Sequence, residues 1–229
     1  MNHDKPQHLR TVKSFVKRAG RVTKRQKHAL ENFAELYTIP YQPSLIDLSQ
    51  HFPKSQPLIV EIGFGMGDSL VEMAKTLPEK NFIGIEIHEP GIGNILDRIH
   101  HDTLTNLKIM TYDAVEVFKR CITNDALDGI QIFFPDPWHK KRHHKRRLVN
   151  KDFTELMVSR LKQNGFIHFA SDWQEYAEEV LVLFEQNDQL QNKFEGFAPR
   201  PETRPLTKFE KRGHALKHGV WDIIFTKKF

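Results

Sequence analysis

Residues 58–67 read L-I-V-E-I-G-F-G-M-G, an apolar run that leads directly into glycines at alternate positions. The glycines are Gly63, Gly65 and Gly67. A short apolar run bounded by turn residues predicts a buried β-strand, and the pattern from Asp68 onward predicts a helix. Glycine lets the backbone turn tightly and come close to a ligand. The third glycine comes one position earlier than the dinucleotide fingerprint requires, and Glu61 stands two positions ahead of the turn, so the pattern favours a ligand other than NAD.

Apolar runs of the same kind recur along the rest of the chain. They lie at 82–87, 107–113, 129–136, 166–172 and 220–225, and predicted helices lie between them at 68–77, 89–103, 114–121, 151–162 and 173–187. Strands that alternate with helices predict βαβ units and a mostly parallel sheet that is covered on both faces. No internal repeat or low-complexity linker divides the chain. We therefore expect a basic N-terminal arm with a helix over 1–50 and a single α/β domain over 51–229.

Acidic residues stand near the predicted ends of the first three strands. They are Glu61, Glu86 and Asp113. Carboxyl ends of parallel strands share one edge of a sheet, where open α/β sheets bind ligands, so these acids predict one site. Glu86, about 20 residues beyond the glycine turn, suits ribose hydroxyls, and Asp113 with Ala114 suits an adenine amino group. Each acid alone is typical of a helix cap or a surface position. Together they favour an adenosine-containing ligand without a pyrophosphate, S-adenosylmethionine.

The fourth predicted strand ends in F-F-P-D-P-W at 133–138 and continues into the basic block HKKRHHKRR at 139–147. Asp136 lies between two prolines, which restrict its backbone and remove two N–H donors. This arrangement predicts an acid that faces a substrate base, beside a block that contacts the phosphates of the same polymer. A rigid turn with an exposed carboxylate is the alternative. His139 and His143 have the spacing of metal ligands, but the surrounding cations would repel a divalent ion, so we expect no metal.

Charge and composition narrow the classes of function. The 229 residues include 34 Lys and Arg against 29 Asp and Glu, and the basic excess concentrates at 1–30, 139–147 and 198–213. Three basic stretches in one domain point to nucleic acid. No apolar run approaches the ~20 residues of a membrane span, and the first residues lack the apolar core of a secretory signal. The single cysteine, Cys121, excludes an intramolecular disulfide. We expect a cytoplasmic protein without membrane contact and leave monomer and homodimer open.

From the glycine turn to the C-terminus, residues 57–229, the chain resembles the bacterial tRNA (guanine-N7-)-methyltransferase family. The resemblance rests on separate motifs: EIGFGMG, GIEIHEPG, FFPDPWHKKRHHKRR, ASDWQEYAE and RPETRPLTKFEKRG with HGVWDIIF. The PDPW motif joined to the basic block is far more specific than the glycine turn. The resemblance implies a Rossmann-like class I methyltransferase fold with a mostly parallel seven-stranded sheet. It also implies methyl transfer from S-adenosylmethionine to N7 of guanosine 46 in the variable loop of tRNA.

The resemblance also implies roles for individual residues. Contacts with S-adenosylmethionine fall to Glu61, Glu86, Asp113 and Asp136, and Asp136 is in addition the implied catalytic residue. The implied substrate-binding residues are Lys140, Asp172, Thr207, Lys208, Phe209 and Glu210. The implied RNA-contacting residues are Arg142, His143, His144, Lys145, Arg146 and Arg147. Asp172 could accept hydrogen bonds from the guanine N1–H and amino group, and it could also cap the following helix.

Three other functions fit parts of the pattern. A methyltransferase for an exocyclic base amine often carries N/D-P-P-Y after the fourth strand, whereas this chain has P-D-P-W. An RNA-binding protein with an inactive methyltransferase fold would be expected to have lost the glycines or the acids, and this chain retains them. A methyltransferase for a small molecule would leave the basic stretches unexplained.

Overall fold

The computed structural model describes residues 20–207, 210 and 219–228. The helices are α1 (Lys24–Tyr37), α2 (Asp68–Thr76), α3 (Glu89–His101), α4 (Ala114–Arg120), α5 (Lys151–Arg160) and α6 (Gln174–Glu185). The strands are β1 (Leu58–Ile62), β2 (Asn81–Ile85), β3 (Leu107–Met110), β4 (Leu127–Phe133), β5 (Leu161–Ser171), β6 (Leu190–Asn192) and β7 (Trp221–Lys227). Two 3-10 helices cover Leu48–His51 and Lys141–Arg146.

The strands form one seven-stranded sheet in the order β3-β2-β1-β4-β5-β7-β6. The first five strands in this order are parallel, whereas β7 runs antiparallel to β5 and β6 antiparallel to β7. The α/β fold with a mostly parallel sheet is therefore confirmed. The strand order reverses direction at β1 and β4, and such a switch point opens a ligand crevice at the carboxyl ends of the strands.

The ends of several strands differ from those predicted from the sequence. β3 ends at Met110 because Asp113 leaves the sheet and caps α4, where its carboxylate accepts a hydrogen bond from the Val115 N–H at 2.9 Å. β4 ends at Phe133 because Phe134 has a φ of 52°, which a strand does not accommodate. The edge strand β6 has three residues, too few for an alternating pattern to predict it.

The sheet separates two hydrophobic layers. One layer packs α4, α5 and α6 around Val60, Ile130 and Ile167, and the other packs α1, α2 and α3 around Ile59 and Phe82. The strands are apolar on both faces because both faces are buried. The described part of the N-terminal arm belongs to this core, since α1 lies against α3.

Candidate active site

The glycine turn joins β1 to α2 at the switch point. Gly63, Gly65 and Gly67 all have positive φ values, 77°, 56° and 76°, which L side chains rarely adopt. Apart from the chain neighbours of each glycine, no atom of the described residues lies within 4 Å of the position that a Cβ would take on Gly63 or Gly65, so these residues leave open space beside the turn. A Cβ on Gly91, in the first turn of α3, would lie 1.9 Å from the Gly65 carbonyl oxygen. Gly91 therefore allows α3 to pack directly onto the turn.

Glu61 is a buried acid beneath the turn. Glu61 is 3% exposed, and its Oε2 is buried with no hydrogen-bond partner among the described residues. Burial, followed by repulsion from Glu86, raises the pKa of Glu61 to about 8. A buried carboxylate of this kind is stabilised by a cation. The arrangement suits a positively charged ligand above the turn.

Glu86 follows β2 and fastens the turn from the side. Its Oε2 accepts a hydrogen bond from the Gly65 N–H at 2.9 Å, and its Oε1 accepts from the Ile87 and His88 N–H groups at 2.7 and 3.0 Å. Each carboxylate oxygen has two lone pairs, so Oε2 has capacity for a further donor. Glu86 thus shapes the loop in which the sequence predicts ribose contacts.

The end of β4 carries the PDPW segment. Phe134 and Trp138 both have positive φ, 52° and 51°, so two bulky residues hold uncommon backbone conformations on either side of Asp136. Asp136 is exposed, and the indole N–H of Trp138 is buried with no hydrogen-bond partner in the described part of the chain. His139 packs edge to face on Trp173 with ring centroids 4.2 Å apart. This contact brings the PDPW segment next to the start of α6.

The segment 139–147 lies across this end of the sheet, and most of its cations face solvent. Lys140, Lys141, Arg142 and Lys145 are exposed, while Arg146 lies with its guanidinium 5.1 Å from the Trp138 ring centroid. His143 and His144 are half-buried. Desolvation, and then the adjacent cations, lower the pKa of His143. The segment offers a cationic surface beside Asp136.

Arg147 differs from the rest of the segment. Its side chain is 1% exposed, its Nε donates to the Pro137 carbonyl oxygen at 3.0 Å, and its guanidinium pairs with Glu175 and Glu179 of α6. A guanidinium in this position is unable to reach an RNA phosphate without unfolding the segment. The expected RNA contact of Arg147 is therefore corrected to a structural one, in which Arg147 anchors the segment to α6.

Asp172 lies between the end of β5 and the start of α6 and is exposed. The N-cap of α6 is Trp173 and carries no side-chain cap, while the Ser171 Oγ accepts the hydrogen bond of the Trp173 N–H at 3.1 Å. The alternative role of Asp172 as helix cap is therefore wrong. Its carboxylate stands at the same edge of the sheet as the PDPW segment.

Thr207 and Glu210 face each other, whereas Lys208 and Phe209 lie outside the described residues. The Thr207 N–H donates to Glu210 Oε2 at 2.8 Å, and the Glu210 N–H donates to Thr207 Oγ1 at 3.2 Å. Glu210 is 2% exposed and accepts two further hydrogen bonds from Arg204. This burial argues against direct contact of Glu210 with substrate and gives it a supporting role beneath Thr207.

A buried polar layer that the sequence patterns did not predict lies under this site. Glu61, Gln131 and His168 are register partners on β1, β4 and β5, so their side chains share one face of the sheet. All three residues are buried, and within the described ranges Gln131 Oε1 has no hydrogen-bond partner. Asp222 of β7 and Arg204 continue the layer toward Thr207. Polar residues at inward positions of otherwise apolar strands, as in GIQIFF, FIHFAS and VWDIIF, are the signal that could have revealed it.

The described residues hold no group of three or more His, Cys, Asp or Glu side chains that could bind a metal ion. Within the same residues, no helix is both long enough and apolar enough to cross a bilayer.

Comparison of the fold identifies the class of protein. The structure is similar to the 16S rRNA methyltransferase KamB, with a TM-score of 0.58 over 93% of this chain and 97% of that chain at 11% identity. It is also similar to the aminoglycoside resistance methyltransferase NpmB1, with a TM-score of 0.57 over 82% of this chain and 95% of that chain at 14% identity. A family model described as "Putative methyltransferase" matches residues 55–223. The fold and the glycine turn thus define a methyltransferase of the class I type.

Sequence comparison narrows the class to one family. The chain is 52% identical over 228 residues to the tRNA (guanine-N(7)-)-methyltransferase of Francisella philomiragia, covering 99% of this chain and all of that one. It is 50% identical over 220 residues to the enzyme of the same name from Methylobacillus flagellatus, covering 96% and 92%. The chain belongs to the tRNA (guanine-N7-)-methyltransferase family.

Proposed function

We propose that this protein transfers a methyl group from S-adenosylmethionine to N7 of guanosine 46 in the variable loop of tRNA, in the bacterial cytoplasm. The observation that carries the proposal is the position of Asp136. It lies at the carboxyl end of β4, next to the glycine turn in strand order and at the head of an exposed cationic segment. A cofactor site and an RNA surface therefore meet at one acid.

The residues around the turn fit S-adenosylmethionine, which would supply an electrophilic methyl group. The buried Oε2 of Glu61, which has no partner among the described residues, suits the positive charge of this molecule. The open space beside Gly63 and Gly65 admits its amino-acid portion. Glu86 is available for ribose hydroxyls, and Asp113 with Ala114 for the adenine amino group. We propose no metal-binding role for any of these residues.

Few catalytic groups are needed for this reaction. Guanine N7 carries a free lone pair, so no proton has to be removed before attack on the methyl group. The protein can act mainly by aligning N7 with the methyl group and by stabilising the positive charge that moves onto the imidazole ring. The Asp136 carboxylate suits the second task without acting as a base.

The exposed cations of segment 139–147 suit tRNA phosphates. Phosphate contacts position a protein on nucleic acid, and contacts to base edges select the base. The narrow major groove of A-form RNA does not admit side chains, so N7 has to be presented by folded tRNA geometry or by local opening of the loop. Asp172, Lys140 and Thr207 are the proposed substrate contacts. Lys208 and Phe209 are retained as substrate contacts on resemblance alone.

The proposal is tested with the purified full chain, unmodified tRNA and labelled S-adenosylmethionine. Borohydride and aniline cleave RNA at N7-methylguanosine, so we expect a single cleavage site, at position 46. A tRNA in which that guanosine is replaced by adenosine should give neither label nor cleavage. Label without aniline-sensitive cleavage would indicate methylation at another atom, and absence of label from both tRNAs would overturn the proposal.

A further inference from the structure

Arg204 lies at the end of the buried polar layer that is nearest to Thr207. Its guanidinium donates to Glu210 from Nη1 and Nη2, both at 2.7 Å, and to Asp222 from Nε and Nη2, both at 2.9 Å. Two carboxylates therefore hold one guanidinium in paired, fork-like hydrogen bonds, an arrangement that fixes its orientation. The side chain is 1% exposed, so water does not compete for these hydrogen bonds.

The charges in this cluster depend on one another. Although burial acts to raise it, hydrogen bonds from His168 and Arg204 hold the pKa of Asp222 below its usual value. Burial lowers the pKa of His168, although Asp222 acts to raise it, and His168 Nε2 lies 2.6 Å from Asp222 Oδ1 in a buried hydrogen bond. One positive group thus serves two negative groups, and loss of either fork leaves a carboxylate buried without its partner.

Arg204 also contacts the end of β4. Its guanidinium carbon lies 5.6 Å from the ring centroids of both Phe133 and Phe134, within the range of cation–π attraction. Phe134 is the residue with positive φ that leads into Asp136. On its other side, Arg204 holds Glu210, whose Oε2 also accepts the Thr207 N–H. One side chain therefore links the Thr207 segment, β7 and the PDPW segment.

We infer that Arg204 is a positioning residue for methyl transfer, which sets the distance between Thr207 and Asp136 through its forks to Glu210 and Asp222 and its contact with Phe134. The inference rests on the proposed function, in which Thr207 contacts the guanosine and Asp136 stabilises its developing charge. The Arg204 side chain is 1% exposed, so it is closed off from a ligand bound at the surface of the site. It acts by holding two surfaces in register.

In-line methyl transfer makes this register important for rate. A displacement of about 1 Å between reacting groups can cost about 10²-fold in rate, even when the altered residue lies away from the chemistry. Cofactor affinity depends instead on the glycine turn, which Arg204 does not contact directly. Loss of the link should therefore lower the rate of the chemical step much more than the affinity for S-adenosylmethionine.

Two substitutions weaken the link in different ways. Arg204→Lys keeps the charge but replaces the planar fork with a point charge, which is unable to make both paired contacts. Glu210→Gln keeps the shape and an acceptor for Thr207 but removes one charge. We expect each to lower the single-turnover rate, at saturating tRNA and cofactor, by about 10²-fold, while the Kd for S-adenosylmethionine stays within about twofold, well below the tenfold that 1.4 kcal/mol represents.

The matched control is Asn106→Ala. Asn106 is buried and donates from Nδ2 to the Ala74 and Lys80 carbonyl oxygens, both at 2.9 Å. This pair of hydrogen bonds lies before β3, at the opposite edge of the sheet from Asp136. The control should lower the thermal midpoint without changing the single-turnover rate. An equal loss of rate in this control would overturn the inference, because it would show that the rate simply follows stability.

A double variant separates positioning from stability. If Arg204 acts by placing the site around Asp136, the cost of Arg204→Lys should be smaller in an Asp136→Asn background than in wild type. Additive losses would overturn the inference, as would a wild-type rate in either single variant. Failure of both single variants to fold would assign Arg204 to stability alone. An inactive wild-type chain would instead overturn the proposed function.

Discussion

Glu61 is a carboxyl group that the fold buries at a cost. Its folded pKa is raised from the ordinary value of 4.5 to about 8, first by burial and then by Glu86. The folded chain therefore binds more protons than the unfolded chain between these values, so this group makes stability fall as pH rises from about 4.5 to about 8. Burial of an acid without a partner is typical of a site that binds a cationic ligand.

Glu61→Gln should separate stability from binding. Because the amide has no charge to bury, we expect the thermal midpoint of the variant to exceed that of wild type at pH 8.5, and the difference to shrink by pH 5. Affinity for S-adenosylmethionine should fall because the carboxylate is lost. Thermal unfolding and titration calorimetry measure the two effects. Glu72→Gln, which alters an exposed acid on α2, should change neither.

Proton release gives a second test of the same residue. A cationic ligand lowers the pKa of Glu61, so binding to wild type should release protons. Below pH 8, the affinity should therefore increase as the pH rises, by up to about tenfold per pH unit. Calorimetry in buffers of different ionisation enthalpy measures the release. The ligand's own amino group titrates equally with both proteins, so the difference between wild type and Glu61→Gln isolates Glu61. Equal proton release from both would remove Glu61 from the cofactor site.

Asp136→Asn should lower turnover with little effect on tRNA affinity. The amide keeps the shape but loses the charge that would stabilise the developing positive charge on guanine. Removal of one preorganised electrostatic group costs about 10²–10³ in rate, whereas phosphate contacts, which dominate affinity, remain. Single-turnover rates at saturating cofactor and tRNA measure the effect. Asp188→Asn, in the exposed turn before β6, is the control, and a near wild-type rate for Asp136→Asn would remove this residue from catalysis.

At the scale of elements, the segment 139–147 combines a cationic surface with a buried anchor. Arg147 ties the segment to α6 through Glu175 and Glu179, and its guanidinium lies 4.8 Å from the Tyr176 ring centroid. Tyr176 OH accepts a hydrogen bond from the Val149 N–H at 3.1 Å just beyond the segment. The shape of the segment is thus set by α6, and the neighbouring cations are left to face outward.

Neutralising four cations of the segment, three exposed and one over the Trp138 ring, should weaken tRNA binding and its dependence on salt. We expect replacement of Lys141, Arg142, Lys145 and Arg146 by glutamine to reduce the magnitude of the log–log salt slope by about 0.7–0.9 for each phosphate that the variant no longer neutralises. Affinity for S-adenosylmethionine should barely change. Replacing Lys54 and Lys119, exposed residues at the opposite edge of the sheet, should leave the slope near wild type. An unchanged slope in the fourfold variant would identify the segment as a solvated surface that does not touch RNA.

At the scale of the molecule, the described part of the N-terminal arm is built into the domain. A Cβ on Gly93 of α3 would lie 2.7 Å from the Gln26 carbonyl oxygen, so α1 packs closely on α3. Arg25 donates to Asn94 Oδ1 at 3.1 Å, and the Ile39 N–H donates to the Ile109 carbonyl oxygen at 2.8 Å. Asn94 in turn donates to the Met66 carbonyl oxygen at 2.7 Å in the glycine turn. Helix α1 is thus connected, through Asn94, to the glycine turn.

A truncated chain tests this integration. A chain that begins at residue 51 lacks α1 and the buried side chains of Ile39, Ile46 and Leu48. Each such side chain contributes about 1.5–3 kcal/mol on burial, so their sum is comparable with the ~5–15 kcal/mol stability of a whole domain. We expect this chain to unfold or to aggregate at a lower temperature than the full chain, as measured by its thermal midpoint. Equal midpoints would show that 51–229 folds alone.

Local sequence patterns predicted the parallel sheet, the glycine turn and the PDPW segment. An apolar strand, a glycine with positive φ and a proline-bounded acid depend on neighbours within a few residues, so the chain displays them directly. The acids after β2 and β4 were predictable for the same reason. The boundary of β3 was predicted less well, because Asp113 ends the strand by capping α4.

The tertiary structure alone decided which charges are buried. Arg147 lies in the same basic run as Arg146, yet only Arg147 of the two is buried. Its partners Glu175 and Glu179 belong to α6, which is separated from the basic run by α5 and β5. Arg204 likewise depends on Asp222 and on an aromatic pair about 70 residues before it in sequence. A charge is buried where folding brings a partner to it, and the identity of that partner is a property of long-range packing that no local pattern contains.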